Sequence, residues 1–435
     1  MRVALIGDNS IEMIEQVLNI WNNGDCVVLV DWRIPYNSIV EMLESADVRK
    51  CYIESKLFEN HKPKTDITDI EFLPYLVSEK RIKIIPEEIC NKYQQSNSGA
   101  EALILFSSGT TGKSKGVILS HYAISKNAEE VYKYMKLTPN DTMYIQKTLC
   151  HSSTFVCELL VALRYHVRMY IAPTVTTPGV ILKNIVENSI TVTCLNPTLL
   201  KLITFATEKE KYELSGLKKI YCSGAVLDTN LLERAKRVFQ NVDILNVYGL
   251  TEAGPRVAAQ IPNLYDSAGS VGKVLDCVTV KIVDDQGNAM NVNEQGIIYV
   301  KTECKYIGYA NLKNKTNEEE WINTKDIGYF NENNELFVLG RADNMINIDS
   351  HNIFVEEIEQ RIVSMKEIED CLIYGITNEN GNNILCCDYV GDMEENKKII
   401  EYLRDYLPSY EIPRKYNKVD SIEYTLNGKK KRTKH

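Results

Sequence analysis

Near the start of the chain, two hydrophobic periods alternate. Residues 3–7 and 26–30 are short continuous apolar runs, the pattern of strands covered on both faces. Between them apolar side chains recur at Ile11, Ile14, Val17, Leu18 and Trp21, the spacing of an amphipathic helix, with Ser10 placed to cap it and Gly24 to end it. A helical pattern over 35–46 and an apolar run at 51–53 repeat the unit, which predicts a parallel β-α-β-α-β sheet covered by helices. Residues 60–99 are polar without clear period and read as a variable connection.

The run 102–106 predicts another buried strand and 122–135 a helix, and β-α units resume through strands near 190–193, 219–221 and 244–247. From 271 to 338 short alternating segments separated by turn residues at 285–288 and 331–334 predict antiparallel sheet. Beyond it, helices over 355–365 and 395–407 flank strands at 371–376 and 385–390. The expected fold is α/β: a large domain, 1–340, of parallel β-α-β sheets with a β-rich part at about 270–340, followed by a small α+β domain, 341–435.

Composition narrows the class. A chain of 435 residues with 44% apolar content is long enough for more than one core. A net charge of −9, with acidic and basic residues interspersed, argues against a nucleic-acid surface and suits a protein handling small ligands. Twelve cysteines include no C-x-x-C pair, so neither a zinc site nor a disulfide framework is expected. With no charged-then-apolar leader and no apolar run near the ~20 residues of a membrane helix, the expected placement is cytoplasmic, with no membrane span.

The chemistry begins where the strand at 102–106 meets Ser107-Ser108-Gly109-Thr110-Thr111-Gly112-Lys113-Ser114-Lys115-Gly116. Hydroxyl donors, glycines that let backbone N–H groups approach phosphate oxygens, and the cations Lys113 and Lys115 make a phosphate-cradling loop. It is not a Walker A loop, because position 107 is Ser where that motif requires Gly.

Downstream stand Ser223-Gly224-Ala225, Tyr248-Gly249-Leu250-Thr251-Glu252, Thr324-Lys325-Asp326, the run from Gly340-Arg341-Ala342-Asp343 to Glu359, and Asn427-Gly428-Lys429. In this order they resemble the adenylate-forming superfamily of acyl-CoA synthetases, aryl-acid ligases and peptide-synthetase adenylation domains. The resemblance implies an ATP- and Mg²⁺-dependent ligase that converts a small carboxylic acid, aryl or short acyl, into an acyl-AMP. Transfer to the phosphopantetheine thiol of coenzyme A or of a carrier protein would follow. Ser107, Ser108, Gly109, Thr110, Thr111, Lys113 and Lys115 would hold phosphates. Ser223, Gly224, Ala225, Asn246, Tyr248 and Gly249 would border the nucleotide, with Tyr248 stacked on adenine. Thr251 would contact the α-phosphate, Glu252 the metal, and Asp326 with Arg341 the ribose. Asp343 falls on the hinge of the small domain, which the resemblance implies to be mobile, and Lys429 would reach the reacting centre. His151, with Ser223 and Gly224, would line the acid pocket, and no Asp stands nearby to pair an α-ammonium, which disfavours amino acids.

The chain departs from the pattern at Ser114, where the family has Pro, and at Lys325, Asp349 and Ser350, where it commonly has Gly. It also starts near the second β-α unit of typical relatives. The substitutions at 349 and 350 lean toward a carrier protein as acceptor. A catalytically silent nucleotide-binding regulator with the same fold is the alternative.

Overall fold

The computed structural model describes residues 1–60, 69–78, 82–107, 115–174, 176–210, 212–262, 267–310, 319–348, 351–353, 355–377, 383–393, 395–425 and 430–432. Strand Arg2–Gly7 pairs in parallel with Cys26–Asp31 on one side and Lys50–Glu54 on the other. Between them helix Ile11–Asn22 is capped by the Ser10 hydroxyl, which accepts from the Met13 amide at 3.0 Å. Glu101–Ser107 extends this seven-stranded sheet, in parallel with Cys26–Asp31. A second, eight-stranded sheet contains the parallel strands Thr142–Ile145, Arg168–Ile171, Val192–Leu195, Lys219–Cys222 and Asp243–Gly249.

The two sheets share one core, which explains their continuous apolar texture. Alternate residues of each strand point opposite ways. Val3, Leu5, Val27, Leu29, Leu103 and Leu105 of the first sheet meet Met143, Ile145, Val192, Leu245 and Val247 of the second, with helices Ile11–Asn22 and His121–Met135 packed between them. The intervening side chains Ala4, Ile6, Val28, Val30 and Ile104 face an outer layer built on helix Tyr36–Ser45. Tyr144, Leu195, Ile220 and Ile244 face helices Pro178–Glu187, Pro197–Lys209 and Thr229–Val238. Full burial of each such aliphatic side chain contributes about 1.5–3 kcal/mol.

The region 60–99 is more ordered than its polarity suggests. Strand Glu71–Tyr75 pairs in parallel with Lys50–Glu54, and helix Glu87–Lys92 follows. Glu71–Tyr75 is the edge strand of its sheet and carries Pro74, which an edge tolerates and which hides the alternation. The strand Lys115–Ser120, also not foreseen, turns back antiparallel to Glu101–Ser107.

The antiparallel part is a four-stranded sheet of Val278–Val283, Gly296–Thr302, Ile322–Phe330 and Leu336–Arg341. Beyond it lies a separate small C-terminal unit with its own core of Ile348, Ile353, Val355, Ile358, Ile362, Ile373, Leu385, Ile399 and Leu403. Helix Val355–Val363 packs on strands Ile368–Thr377 and Asn383–Gly391, and a third strand, Lys415–Lys418, missed in the sequence, joins in parallel. Among the described residues no helix is long and apolar enough to cross a membrane. All twelve cysteines are free thiols.

Candidate active site

The phosphate-loop motif is carried by a β-hairpin. Ser107 ends one strand directly opposite Lys115, the first residue of the next. Ser108, Gly109, Thr110, Thr111 and Lys113 lie outside the described residues, as do Asp349, Ser350 and Lys429. The return strand pairs with Gly308–Tyr309, and Lys115 Nζ lies 5.3 Å from the centroid of the Tyr309 ring. The Tyr309 hydroxyl donates to Glu252 Oε1 at 3.1 Å, and the Tyr306 amide donates to the Glu252 carbonyl at 2.9 Å. Burial and the Glu252 charge push the Tyr309 phenol up, so it stays a donor. The foot of the loop and Glu252 are thereby bridged by an aromatic pair absent from the sequence-based assignments.

Tyr248, Thr251 and Glu252 stand at and just beyond the end of strand Asp243–Gly249. A Cβ at Gly249 would lie 2.1 Å from the Pro255 carbonyl oxygen, so only glycine allows this tight return. The Tyr248 hydroxyl donates to Asp326 Oδ2. Arg341, directly opposite Asp326 across the strands, holds Asp326 Oδ1 at 3.4 Å, the Thr324 carbonyl at 3.1 Å and Asp343 Oδ2 at 3.3 Å. Lys325, in the place of glycine, keeps the left-handed backbone with φ of 60°, and its ammonium lies 3.7 Å from Asp343.

Thr251 Oγ1 and Ser152 Oγ share a hydrogen bond of 2.9 Å, which brings the half-buried His151 beside the Thr251 end of the motif. Cys150 is no nucleophile: desolvation pushes its thiol up to about 12. Ser223 is buried, and Gly224, with φ of 99°, and Ala225 are exposed at the end of strand Lys219–Cys222. Asn246 is turned inward: its amide donates to the Ser270 carbonyl at 3.2 Å and its backbone N–H to Gln260 Oε1 at 2.7 Å. The geometry therefore assembles Ser107, Lys115, Tyr248, Thr251, Glu252, Asp326, Arg341 and Asp343 through strand ends and side-chain bonds, and gives Asn246 structural work.

Residues 1–310 match the family described as AMP-binding enzyme, and residues 357–429 match the AMP-binding enzyme C-terminal domain. The chain belongs to the AMP-binding enzyme family. It is 25% identical to gramicidin S synthase 2 of Brevibacillus brevis over 99% of this chain and 10% of that protein, and 26% identical to acyl-CoA synthetase 7 of Caenorhabditis elegans over 74% of this chain and 63% of that one. The chain thus spans less than two thirds of the length of these curated relatives. Its fold follows that of ATP-bound MatB from Rhodopseudomonas palustris, with a TM-score of 0.86 at 20% identity over 99% of this chain and 86% of that one.

The donor set suits a magnesium ion shared with phosphate. Glu252 offers a hard carboxylate oxygen and Thr251 a hydroxyl, and among the described residues no group of three or more His, Cys, Asp or Glu would hold a metal by protein alone. Magnesium shared between one carboxylate and substrate phosphates fits that economy of ligands.

One more element near the site carries charge where none was expected. The half-buried Asn344 amide donates to Glu356 Oε1 at 2.7 Å, tying the residues after Arg341 to helix Val355–Val363. From that helix Glu359 accepts both Arg432 nitrogens, at 2.8 and 3.0 Å, and Lys430 at 3.1 Å, while Lys430 also reaches Asp370 at 3.2 Å. Lys430 and Arg432, both half-buried, thus clamp the end of the described chain onto helix Val355–Val363, and Lys430 also bridges Tyr424 through the backbone.

Proposed function

We propose that the chain is an ATP- and Mg²⁺-dependent ligase that adenylates a small carboxylic acid, aryl or short acyl, and passes the acyl group to a phosphopantetheine thiol of coenzyme A or of a carrier protein. The observation that carries this reading is the continuity of the cluster: Lys115 to Tyr309 to Glu252 on one side, Tyr248 to Asp326 to Arg341 on the other, joined through Gly249 to Thr251. In adenylation a carboxylate oxygen attacks the α-phosphorus in line and the bond to the pyrophosphate oxygen breaks. In the second half the thiolate sulfur attacks the acyl carbonyl and AMP departs.

Both steps bring anions together, so the protein's task is to hold charge in place before reaction. Ser107, Thr110, Thr111, Lys113 and Lys115 take the terminal phosphates and Thr251 the α-phosphate. Tyr248, held by its phenol, offers its ring to adenine, and Asp326 with Arg341 takes the ribose hydroxyls. Magnesium, when bound, neutralises phosphate charge, and Glu252 would hold it. Lys429 supplies a cation between carboxylate and α-phosphate, presented by the segment that Lys430 and Arg432 anchor.

We place the junction of the two domains at 340/341 and the hinge at Asp343, which pairs with Lys325 of the large domain and with Arg341 at the junction itself. His151 faces the acid. Likeness to both an acyl-CoA synthetase and a gramicidin S synthase supports leaving the acceptor at the level of a phosphopantetheine thiol. Free thiols, eleven of the twelve buried, fit a reducing cytoplasm.

The test is acid-dependent ATP–pyrophosphate exchange across benzoates, short and medium fatty acids and amino acids. Exchange with one non-amino acid class, lost in Lys429→Ala while ATP binding persists, is the expected result. Unchanged exchange in Lys429→Ala would refute the lysine's role, and exchange with none would favour the silent nucleotide binder.

A further inference from the structure

Arg256 is the only lysine or arginine among the fully buried residues described, with 4% of its surface accessible. It lies four positions after Glu252, directly opposite Gly249 across the strands, and its backbone is clamped by the buried Asn127 side chain, which donates to its carbonyl at 3.0 Å and accepts from its amide at 2.9 Å. Its guanidinium is surrounded by Tyr134, Cys157 and Cys194. Burial pushes all three up, so none carries a compensating negative charge. Its Nε has no hydrogen-bond partner.

Glu158, the carboxylate that feels the Arg256 charge, is already claimed. Lys147 Nζ, partly buried, lies 2.9 Å from Oε1 of the fully buried Glu158, and neither Glu158 oxygen has a hydrogen bond. Two cations and one carboxylate leave one positive charge uncompensated inside the protein. Desolvation also pushes the Glu158 carboxyl up, which enlarges the excess. Thr154, four residues earlier on the same helical stretch, adds a fully buried hydroxyl with no partner. The stretch from Phe155 to Leu160 is wound wider than an α-helix, an arrangement that concentrates at functional sites.

This cluster adjoins the reacting centre. The helical stretch that carries Thr154, Cys157 and Glu158 begins at Ser152, whose hydroxyl meets Thr251. Gly249, between Tyr248 and Thr251, stands directly opposite Arg256 across the strands, so the guanidinium belongs to the strand next to the reacting centre. An isolated buried cation is costly, and an anion supplied by the ligand is the direct remedy.

We infer that Arg256, with Lys147, Glu158 and Thr154, forms a recognition site for a second anionic group on the substrate, so that the acid activated is a dicarboxylic acid. This rests on the adenylation reading and names its substrate class. Arg256 is then a specificity residue: an acid lacking the distal carboxylate leaves the guanidinium without a counter-charge.

The test compares matched acids in ATP–pyrophosphate exchange: benzoate against the three carboxybenzoates, and butyrate against succinate and glutarate. The wild type should favour the diacid of a pair by about 50-fold or more in kcat/KM. Arg256→Leu should invert that preference and Arg256→Lys retain part of it, with unchanged circular dichroism. A wild-type preference for the monoacid, or an equal loss for both members in Arg256→Leu, overturns the inference while leaving adenylation intact. Diacid-induced thermal stabilisation, present in wild type and absent in Arg256→Leu, decides the point without turnover. Its absence in wild type counts against the site even if no acid supports exchange.

Discussion

Two buried ionic clusters behave differently in this molecule. Around Glu359 each cation has a carboxylate: Arg432 forks onto Glu359, Lys430 divides itself between Glu359 and Asp370, and the Ile373 amide supplies a further donor at 2.8 Å, while the neighbouring Glu356 keeps one oxygen without a hydrogen bond. Around Arg256 a cation is in excess and Arg256 Nε, Thr154 Oγ1 and both Glu158 oxygens lack hydrogen bonds. Saturated networks hold a structure together, whereas an unsaturated one at the edge of a reacting centre stands ready for a ligand. The two should therefore respond oppositely to mutation.

The largest effect is expected at the closed cluster. Glu359→Ala leaves Lys430 and Arg432 buried without their shared carboxylate and should cost about 3–5 kcal/mol. Hydrogen exchange of the amides in Ile368–Thr377 would register it, together with loss of pyrophosphate exchange. At the open cluster the sign reverses: Arg256→Met removes an uncompensated charge and should stabilise the ligand-free protein by about 1–3 kcal/mol, read as a higher Tm. A destabilised Arg256→Met would show that this cluster, too, is closed.

A smaller effect is expected where the Glu359 cluster meets the end of strand Leu336–Arg341. A Cβ at Gly340 would lie 2.7 Å from Glu356 Oε2, so Gly340→Ala must displace that carboxylate and should cost about 1–2 kcal/mol in thermal unfolding. Smallest is Lys325→Gly. Relief of the left-handed backbone, about 1 kcal/mol, is offset by loss of an exposed ion pair with Asp343, leaving a gain of about 0.5 kcal/mol in urea titration. A loss on that substitution would assign the Asp343 contact more weight than its exposure suggests.

The layers of the fold are legible in the sequence because strands buried on both faces read as unbroken apolar runs. Motifs at strand ends, such as Tyr248 to Glu252, are legible because turn geometry and chemistry coincide in adjacent residues. Edge strand Glu71–Tyr75 and return strand Lys115–Ser120 lack that clarity, one interrupted by Pro74 and the other merged with the loop. Tyr309, Arg256 and the Lys430 clamp depend on partners far away in sequence. One local signal was available: Glu158 stands alone in the apolar run from Phe155 to Leu163, and a lone carboxylate there must find a cation. Which cation answers it is decided only by the second sheet.

The clamp also sets an order in time. Lys430 and Arg432 lie 71 and 73 residues after Glu359. During synthesis at 5–20 residues per second, the helix carrying Glu359 therefore waits about 4–15 s for its counter-charges. Lys147 and Glu158, separated by barely a dozen positions, emerge almost together. The large unit can settle while the small one is still missing the residues that neutralise it, so in synthesis the small unit takes its shape after the large one.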